Sequence, residues 1–413
     1  MKIRLKYITM NKIGKINSLN NKHTLLNLWS AEFVNRSSYM TGKFALPFFA
    51  KNLGAGTALI GTITSVSTLT GIFLKPLIGG IGDKFDKKKL LLIANLIFAL
   101  TPLFYIYIEQ TYQLVIIRLF HGLSTAIYGP ITLAIISTVY NEHRATYLGW
   151  FGTARTIGYL IGPILGGLLM LYFDLKNLFF ITGLISFLSF LPIILDKNSS
   201  QKINATNSTS NEIILFIKKL FTITKLKQVW VVSLIEWSFY AVFYSMKVFI
   251  PIYLVNSGYN FLIAGSFFTT VESVHIILRP LGGISGDKFG YYKNIIFGLV
   301  LLSLSMFFVS FTINTSTIFI PAILIGIAEA SVLPSALALV SEYSKNDNIG
   351  TVMGIVGSIR NFGKVAGPIL MGILLESFTY QSVFQIIGIT NLLIVFLILF
   401  IFIISSMVKQ NNN

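Results

Sequence analysis

Hydrophobic residues along this chain fall into twelve long runs that polar segments separate. The runs lie at about 24–50, 57–81, 90–108, 113–140, 148–172, 177–195, 228–252, 260–285, 294–312, 317–342, 349–375 and 381–407. An α-helix needs roughly 20 residues to cross the hydrocarbon core of a bilayer, which is close to the length of each run. Lipid cannot satisfy open backbone groups, and the runs lack the alternation typical of strands. The pattern therefore predicts twelve transmembrane helices.

One polar segment, 196–227, is much longer than the others and divides the predicted helices into two groups of six. We predict an all-α integral membrane protein with two six-helix bundles, related by pseudo-symmetry, around a central cavity. The predicted domains are a cytoplasmic N-terminal extension (1–23), an N-terminal bundle (24–195), a cytoplasmic linker (196–227), a C-terminal bundle (228–407) and a cytoplasmic tail (408–413).

The composition excludes several classes of protein. Of the 413 residues, 54% are hydrophobic and 11% are charged, whereas a soluble domain has about a quarter charged residues. A soluble enzyme, a disordered protein and a nucleic-acid-binding module are therefore excluded. The chain has no cysteine, which excludes disulfides and thiolate metal sites. No two of the four histidines have the spacing of metal ligands, so we expect no metal and no cofactor.

Lysine and arginine lie almost entirely on one side of the predicted membrane. With the N-terminus inside, the inner segments hold 21 of the 32 basic residues and the outer loops hold two, Lys51 and Lys176. Because basic residues favour the cytoplasmic side, we predict a multi-pass protein of the cell membrane with both termini in the cytoplasm. The net charge of +17 is assigned to membrane lipid and topology, and nucleic acid is not expected as a partner.

The two halves of the chain are similar in sequence. A shift of 204 residues places PLIGGIGDKF (76–85) on PLGGISGDKF (280–289), and a shift of 205 aligns the fifth helix with the eleventh. Aligned pairs include Glu32 with Glu236, Lys43 with Lys247 and Arg155 with Arg360. Parallel repeats of this kind predict a two-fold axis along the membrane normal, with the central cavity between the halves.

Three motifs carry a family resemblance. The loop after helix 2 contains Gly79, Asp83, Lys84, Asp86, Lys87 and Lys88, and its copy after helix 8 contains Gly283, Asp287, Lys288 and Gly290. Helix 4 contains Arg118, His121 and Gly122. Helix 5 contains Gly149, Gly158, Gly162, Pro163, Gly166 and Gly167, in the pattern G-x8-G-x3-GP-x2-GG. On these motifs the chain resembles a major facilitator superfamily transporter over about 24–407, and helix 5 resembles the signature of its drug–proton antiporters.

The match departs from the family pattern at two places. Asp86 stands where the first loop motif has its second glycine, with lysines in place of arginines, and His121 replaces a glutamine in helix 4. The resemblance implies alternating access, and we predict that the protein functions as a monomer. Asp83 and Asp287, with the rest of the loop motifs, are then conformational latches at the N-terminal ends of helices 11 and 5. Packing alone is an alternative role for the helix-5 glycines, and headgroup attraction for 87–89.

Charged side chains inside the predicted helices cost about 2.5–3.5 kcal/mol each to insert and are functional candidates. Glu32, Arg36, Tyr39 and Lys43 lie on one narrow face of helix 1, and helix 7 repeats this stripe. The predicted proton-coupling residues are Glu236, Glu32, Glu272 and Glu329. The predicted substrate cavity contains Arg36, Tyr39, Lys43, Arg118, Arg155, Tyr240, Lys247, His275, Arg360 and Lys364.

Structural alternatives exist for these candidates. Lys43 and Lys247 are long enough to extend to the outer interface. Arg155 and Arg360 occupy equivalent repeat positions and can serve as structural hydrogen-bond centres. The four glutamates can form structural ion pairs, and His275 can be a donor in helix packing.

Glu32 and Glu236 are expected to differ although the repeat relates them. Arg36 follows Glu32 by one helical turn and can pair with it, whereas Tyr240 holds that position after Glu236. We therefore predict that Glu32 stays ionised and that Glu236 carries the coupling proton.

The sequence contains no G-x4-GK[ST] phosphate-binding loop, so energy is expected from an ion or solute gradient. The favoured function is secondary active transport of a small organic solute, most simply as proton-coupled export. Seven basic cavity residues face four glutamates, which leaves an organic-anion importer or exchanger as the alternative. A membrane enzyme or a non-transporting sensor is a remote alternative, because the sequence shows neither a nucleophile–base pair nor an appended soluble domain.

Overall fold

The computed structural model describes residues 2–82, 85–139, 144–196, 226–311, 317–343 and 349–411. Its helices are α1 (Lys2–Asn52), α2 (Thr57–Gly82), α3 (Lys87–Leu103), α4 (Thr111–Val139), α5 (Arg144–Tyr172), α6 (Leu175–Phe187), α7 (Lys227–Asn256), α8 (Phe261–Phe289), α9 (Tyr291–Ser310), α10 (Phe319–Tyr343), α11 (Ile349–Ser377) and α12 (Tyr380–Asn411). A 3₁₀ turn, Phe104–Tyr107, follows α3, and a short helix, Phe190–Leu195, continues α6. The described residues contain no strand. These helices match the twelve predicted runs in order, so the all-α fold class is confirmed.

Ten of these helices are long and apolar enough to cross a membrane by length and composition. The other two among the described helices, α1 and α11, together carry five of the eleven charged residues predicted for proton coupling and the cavity: Glu32, Arg36, Lys43, Arg360 and Lys364. Helix α1 also begins at Lys2, well before the predicted start at 24. The basic extension contains no proline, so nothing in its backbone chemistry stops the helix.

The ends of the helices explain one departure from the family pattern. Gly290 links α8 to α9 with a φ of 96°, a conformation that favours glycine. The equivalent residue in the first repeat is Asp86, which has an ordinary φ of −62° and caps α3 with its side chain. Its Oδ1 accepts hydrogen bonds from the backbone N–H groups of Lys88 at 2.9 Å and Lys89 at 3.3 Å. A side-chain cap therefore replaces a glycine turn in the first repeat.

The chain forms two compact units. Unit 1 consists of Met1–Lys43, Thr70–Gly162 and Phe173–Thr206, and unit 2 of Phe44–Leu69, Pro163–Tyr172 and Asn207–Asn413. Leu28, Phe98 and Tyr128 lie in the buried core of unit 1. In unit 2, α7 packs along α11 and α8 packs along α10. The domain boundaries inferred from the sequence stay a prediction.

Candidate functional site

A buried ion-pair cluster in unit 1 is centred on Glu32 of α1. Its Oε1 accepts a hydrogen bond from Arg36 at 3.1 Å and another from Arg155 Nε at 2.7 Å. The position of Arg155 follows from the glycines of α5. A Cβ atom on Gly158 would lie 2.7 Å from the Cβ of Arg36, so only glycine lets α5 lie this close to α1. The glycines thus bring a second guanidinium to Glu32.

Tyr39 is the aromatic centre of the same face. The charged groups of Arg36, Lys43 and Arg118 lie 5.8, 5.9 and 5.9 Å from its ring centroid, within the range of cation–π attraction. The ring of His121, at the position of the family glutamine, packs edge-on against it at 4.8 Å. Arg118 is 2% exposed. The structure therefore brings together the predicted cavity residues of helices 1 and 4.

Unit 2 contains the repeat-related ion pair in a looser form. Arg360 of α11 lies 3.8 Å from Oε2 of Glu236, which is beyond hydrogen-bonding distance. Glu236 lacks the cation that Arg36 supplies to Glu32, since Tyr240 holds that position, but α11 places Arg360 nearby. As in the first repeat, glycine permits the approach, since a Cβ on Gly363 would lie 2.6 Å from the carbonyl oxygen of Trp237. Glu236 is buried, and its Oε2 has no hydrogen-bond partner among the described residues.

Two tyrosines one turn apart on α7 lie beside this ion pair. The ammonium of Lys364 is 4.4 Å from the ring centroid of Tyr240 and 5.3 Å from that of Tyr244. The guanidinium of Arg360 is 5.7 Å from the ring of Tyr240. The predicted residues Glu236, Tyr240, Arg360 and Lys364 therefore form one aromatic and cationic group.

The side chain of Lys247 forms a buried ion pair, in contrast to the alternative prediction that it extends to the outer interface. Its Nζ donates to Oε1 of Glu272 at 2.8 Å and lies 4.4 Å from the ring centroid of Phe243. In the first repeat, Lys43 lies over Tyr39 in the same way. The repeats thus share a lysine over an aromatic ring, but the carboxylate partner on α8 is specific to the second repeat, where the first has Thr68.

A second acidic group lies beside Lys247 and brings together three residues predicted separately from the sequence, Glu272, His275 and Glu329. His275 Nδ1 is 3.7 Å from Oε2 of Glu272 and 3.6 Å from Oε2 of Glu329, and all three side chains are buried. These atoms lie within 4.8 Å of one another. The spacing of the histidines alone did not indicate this group, because it contains only one histidine. The spacing Glu272-x-x-His275 could have indicated this cluster, because residues three apart lie on the same face of a helix.

Comparisons with known proteins identify the family of the chain. The model of the Major Facilitator Superfamily matches residues 28–274 and 264–413. The chain belongs to this superfamily. It is 28% identical over 338 residues to the uncharacterized MFS-type transporter YuxJ of Bacillus subtilis (strain 168), covering 79% of this chain and 83% of that protein. The family resemblance inferred from the motifs is therefore confirmed, and the protein is a membrane transporter of this superfamily.

Two further relatives are named as a multidrug resistance protein and as a multi-drug resistance efflux pump homolog. The chain is 25% identical to the multidrug resistance protein MdtG of Salmonella schwarzengrund (strain CVM19633), with 89% of this chain and 92% of that protein covered. It is also 25% identical to the multi-drug resistance efflux pump PmrA homolog of Lactococcus lactis subsp. lactis (strain IL1403), with 95% and 97% covered. Among solved structures, the nucleoside transporter NupG superposes with a TM-score of 0.79 at 15% identity, with 92% of this chain and 99% of that chain covered. That likeness shows the fold alone.

The loop motifs of the superfamily are only partly within the described residues. Asp83 and Lys84 lie outside them, and Gly79 lies in the last turns of α2. In the second copy, Gly283 and Lys288 lie in α8, and Asp287 accepts a hydrogen bond from the hydroxyl of Tyr291 at 2.9 Å. Their latch role stays a prediction.

Lys87 and Lys88 face the protein more than headgroup attraction alone would suggest. Lys87 is 2% exposed. Lys88 Nζ donates to the carbonyl oxygens of Ile194 (3.0 Å) and Asp196 at the end of the helix that continues α6. A cation at the C-terminal end of a helix is favourable, so Lys88 joins the start of α3 to the end of that helix.

The helix-5 motif of the superfamily packs against two different helices. In unit 1, a Cβ on Gly162 would overlap Met40 of α1, whereas Gly149 has open space around it. In unit 2, a Cβ on Gly167 would overlap the carbonyl oxygen of Phe261 in α8, and Pro163 and Gly166 are buried. The motif therefore lets α5 approach both α1 and α8 closely.

Proposed function

We propose that the protein is a proton-coupled exporter of small organic, amphipathic solutes across the cell membrane, with both termini and the linker in the cytoplasm. The observation that carries the proposal is the difference between Glu32 and Glu236. Glu32 accepts hydrogen bonds from two guanidiniums at 2.7 and 3.1 Å, whereas the one guanidinium beside Glu236 lies 3.8 Å away, beyond hydrogen-bonding distance.

Charge compensation explains why these two carboxylates act differently. A buried carboxylate is stable as an anion only when close cations and hydrogen bonds offset its desolvation. Glu32 has that compensation and serves as a fixed structural charge. Glu236 is compensated weakly, so it exchanges a proton as its surroundings open and close. Its position beside Tyr240 and Lys364 places the exchanging proton next to aromatic surface that an amphipathic solute can contact.

Alternating access is supported by glycine contacts within unit 2. Cβ atoms on Gly61 and Gly265 would overlap the carbonyl oxygens of Pro368 and Pro163, which are related by the repeat. The topology prediction places these contacts toward the outer surface. Helices that pack backbone to backbone in this way can separate without disrupting a core of interlocked side chains. Contacts between the outer ends of α2, α5, α8 and α11 would thus close the transporter on its outer side during one part of the transport cycle.

The direction of transport is proposed from the relatives. One relative is named as a multi-drug resistance efflux pump and another as a multidrug resistance protein. The helix-5 pattern, which resembles that of drug–proton antiporters, supports the same direction.

The test is transport in lipid vesicles that contain the purified full chain. An imposed pH gradient should drive labelled amphiphilic cations uphill, with a proton flux that a fluorescent pH indicator inside the vesicles records. Vesicles without a gradient serve as the control. A solute that the protein moves equally with and without the gradient would contradict proton coupling, although it would leave transport itself intact.

A second candidate, organic-anion exchange, is favoured by the charge of unit 1. Arg36 and Arg155 pair with Glu32, and Lys43 and Arg118 lie with Arg36 around the ring of Tyr39. This face of unit 1 therefore carries four basic side chains beside the carboxylate of Glu32. The same vesicle assay decides between the candidates, because anion exchange should be driven by an organic anion inside the vesicles and should not need a pH gradient.

A further inference from the structure

We propose that Glu272, His275 and Glu329 form a binding site for a first-row divalent metal ion, of which Zn²⁺ is the simplest example. The site lies within unit 2 between α8 and α10, and it goes beyond the proposed function. Under this proposal Glu272 and Glu329 are metal ligands, and the coupling proton stays with Glu236.

The distances between the three side chains fit shared coordination of one ion better than they fit direct hydrogen bonds. His275 Nδ1 lies 3.7 Å from Glu272 Oε2 and 3.6 Å from Glu329 Oε2. Both separations exceed the normal range of a hydrogen bond. Ligand atoms on a tetrahedral Zn²⁺ with bonds of 2.0–2.2 Å lie about 3.4 Å apart. Small side-chain adjustments would therefore bring all three atoms onto one ion.

Unsatisfied polar atoms also point into this space. The side chains of His275 and Glu329 are 9% and 7% exposed. Neither ring nitrogen of His275 has a hydrogen-bond partner among the described residues, and neither does Glu329 Oε2. A single Nδ1–H group cannot donate well to two carboxylates that both lie beyond hydrogen-bonding distance. A metal ion would supply a bond to each ligand, and buried polar groups in proteins normally have such a partner.

The two helices hold these ligands on a close-packed scaffold. Helical bundles build metal sites from a Glu-x-x-His pair on one helix and a glutamate on a neighbour, which is the arrangement here. A Cβ on Gly326 of α10 would lie 2.6 Å from the Cβ of Val274 in α8, next to His275. A Cβ on Gly282 would overlap the carbonyl oxygen of Ala330, next to Glu329. The backbones are therefore in contact on both sides of the site, which fixes the ligand positions.

The surrounding charge leaves room for a cation. Lys247 Nζ donates to Oε1 of Glu272, and the other carboxylate oxygen, Oε2, is the atom 3.7 Å from His275 Nδ1. With a neutral imidazole, the two carboxylates and the Lys247 ammonium have a net charge of −1. Arg279, one turn beyond His275, is exposed. One nitrogen and two carboxylate oxygens form a mixed ligand set that suits first-row metals, and three protein ligands leave a position for water or a solute group.

Zinc titration of the full-length protein tests the proposal. The protein is purified through a tag without histidine, stripped with a chelator and titrated with Zn²⁺ in a calorimeter. Because the chain has no cysteine, thiolates do not contribute to binding. We expect one ion per chain, with affinity at least about tenfold lower in His275→Gln and in Glu329→Gln. The matched controls His23→Gln and Glu342→Gln, which change exposed side chains, should keep the wild-type affinity.

X-ray absorption at the zinc edge of the wild-type protein gives a test that does not depend on folding of the variants. One imidazole and two or more oxygen ligands at about 2.0–2.2 Å would support the site. Absence of a 1:1 binding event would overturn the proposal, and so would unchanged affinity in His275→Gln, which would indicate an adventitious ion only. Neither result would affect proton-coupled export, because the titration involves no transport.

Discussion

Alanine at Gly61 or Gly265 is predicted to open the outer end of the transporter. In the structure, an added Cβ would lie well inside 3.0 Å of a carbonyl oxygen, Pro368 or Pro163 respectively, and the obstacle is backbone rather than a flexible side chain. Overpacking of this kind costs about 1–3 kcal/mol. The cost applies only while the helices are in contact, so the equilibrium between closed and open ends should shift by about 5- to 150-fold.

Cysteine accessibility measures this shift. Ser65 is 3% exposed, and its hydroxyl donates to the carbonyl oxygen of Val365 within the same contact. With Ser65→Cys as the only thiol, Gly61→Ala and Gly265→Ala should each accelerate labelling by a membrane-impermeant maleimide from outside. Gly149→Ala and Gly354→Ala are the controls, because a Cβ there meets open space. Labelling as slow as in the parent, in both Gly61→Ala and Gly265→Ala, would refute the reasoning.

Three further predictions concern stability, turnover and topology. Glu32→Gln removes the carboxylate partner of two guanidiniums and should destabilise the protein by about 3–5 kcal/mol, visible as a lower midpoint of thermal unfolding. Glu236→Gln should destabilise the protein much less, because its one guanidinium lies 3.8 Å away. Equal losses of stability would contradict the assigned charge states. Asp83→Asn should slow transport with little change in substrate Kd, because its predicted role is the balance of conformations; a large loss of binding at unchanged turnover would count against a latch. Ser199→Cys should react only with reagents that enter the cytoplasm, and labelling from outside intact cells would overturn the topology.

The sequence was sufficient for most of the helices because ten of the described ones are apolar runs of membrane-spanning length. It failed at the start of α1, since the basic extension has no apolar pattern to mark a helix and no proline to end one. It also gave no reason for Asp86 in place of glycine. The structure supplies one, because the Asp86 side chain caps α3.

The candidate site was predictable only where partners are close in sequence. Arg36 is one turn from Glu32, and their contact follows from helix geometry. The contacts of Arg155 with Glu32 and of Arg360 with Glu236 depend on how closely α5 and α11 approach α1 and α7. Glycine positions permit that approach, but a sequence does not say which helix a glycine faces. For the same reason, the sequence did not predict that Glu329 lies beside His275.

The central claim is that Glu236 exchanges the coupling proton, and the most direct measurement compares two transport modes of Glu236→Gln in vesicles. One mode is uphill transport of a labelled solute driven by a pH gradient. The other is exchange of labelled for unlabelled solute without a gradient, with the exposed Glu342→Gln as the control variant. We expect Glu236→Gln to lose uphill transport and keep exchange, because exchange requires no net proton movement. Full uphill transport by Glu236→Gln would contradict the account.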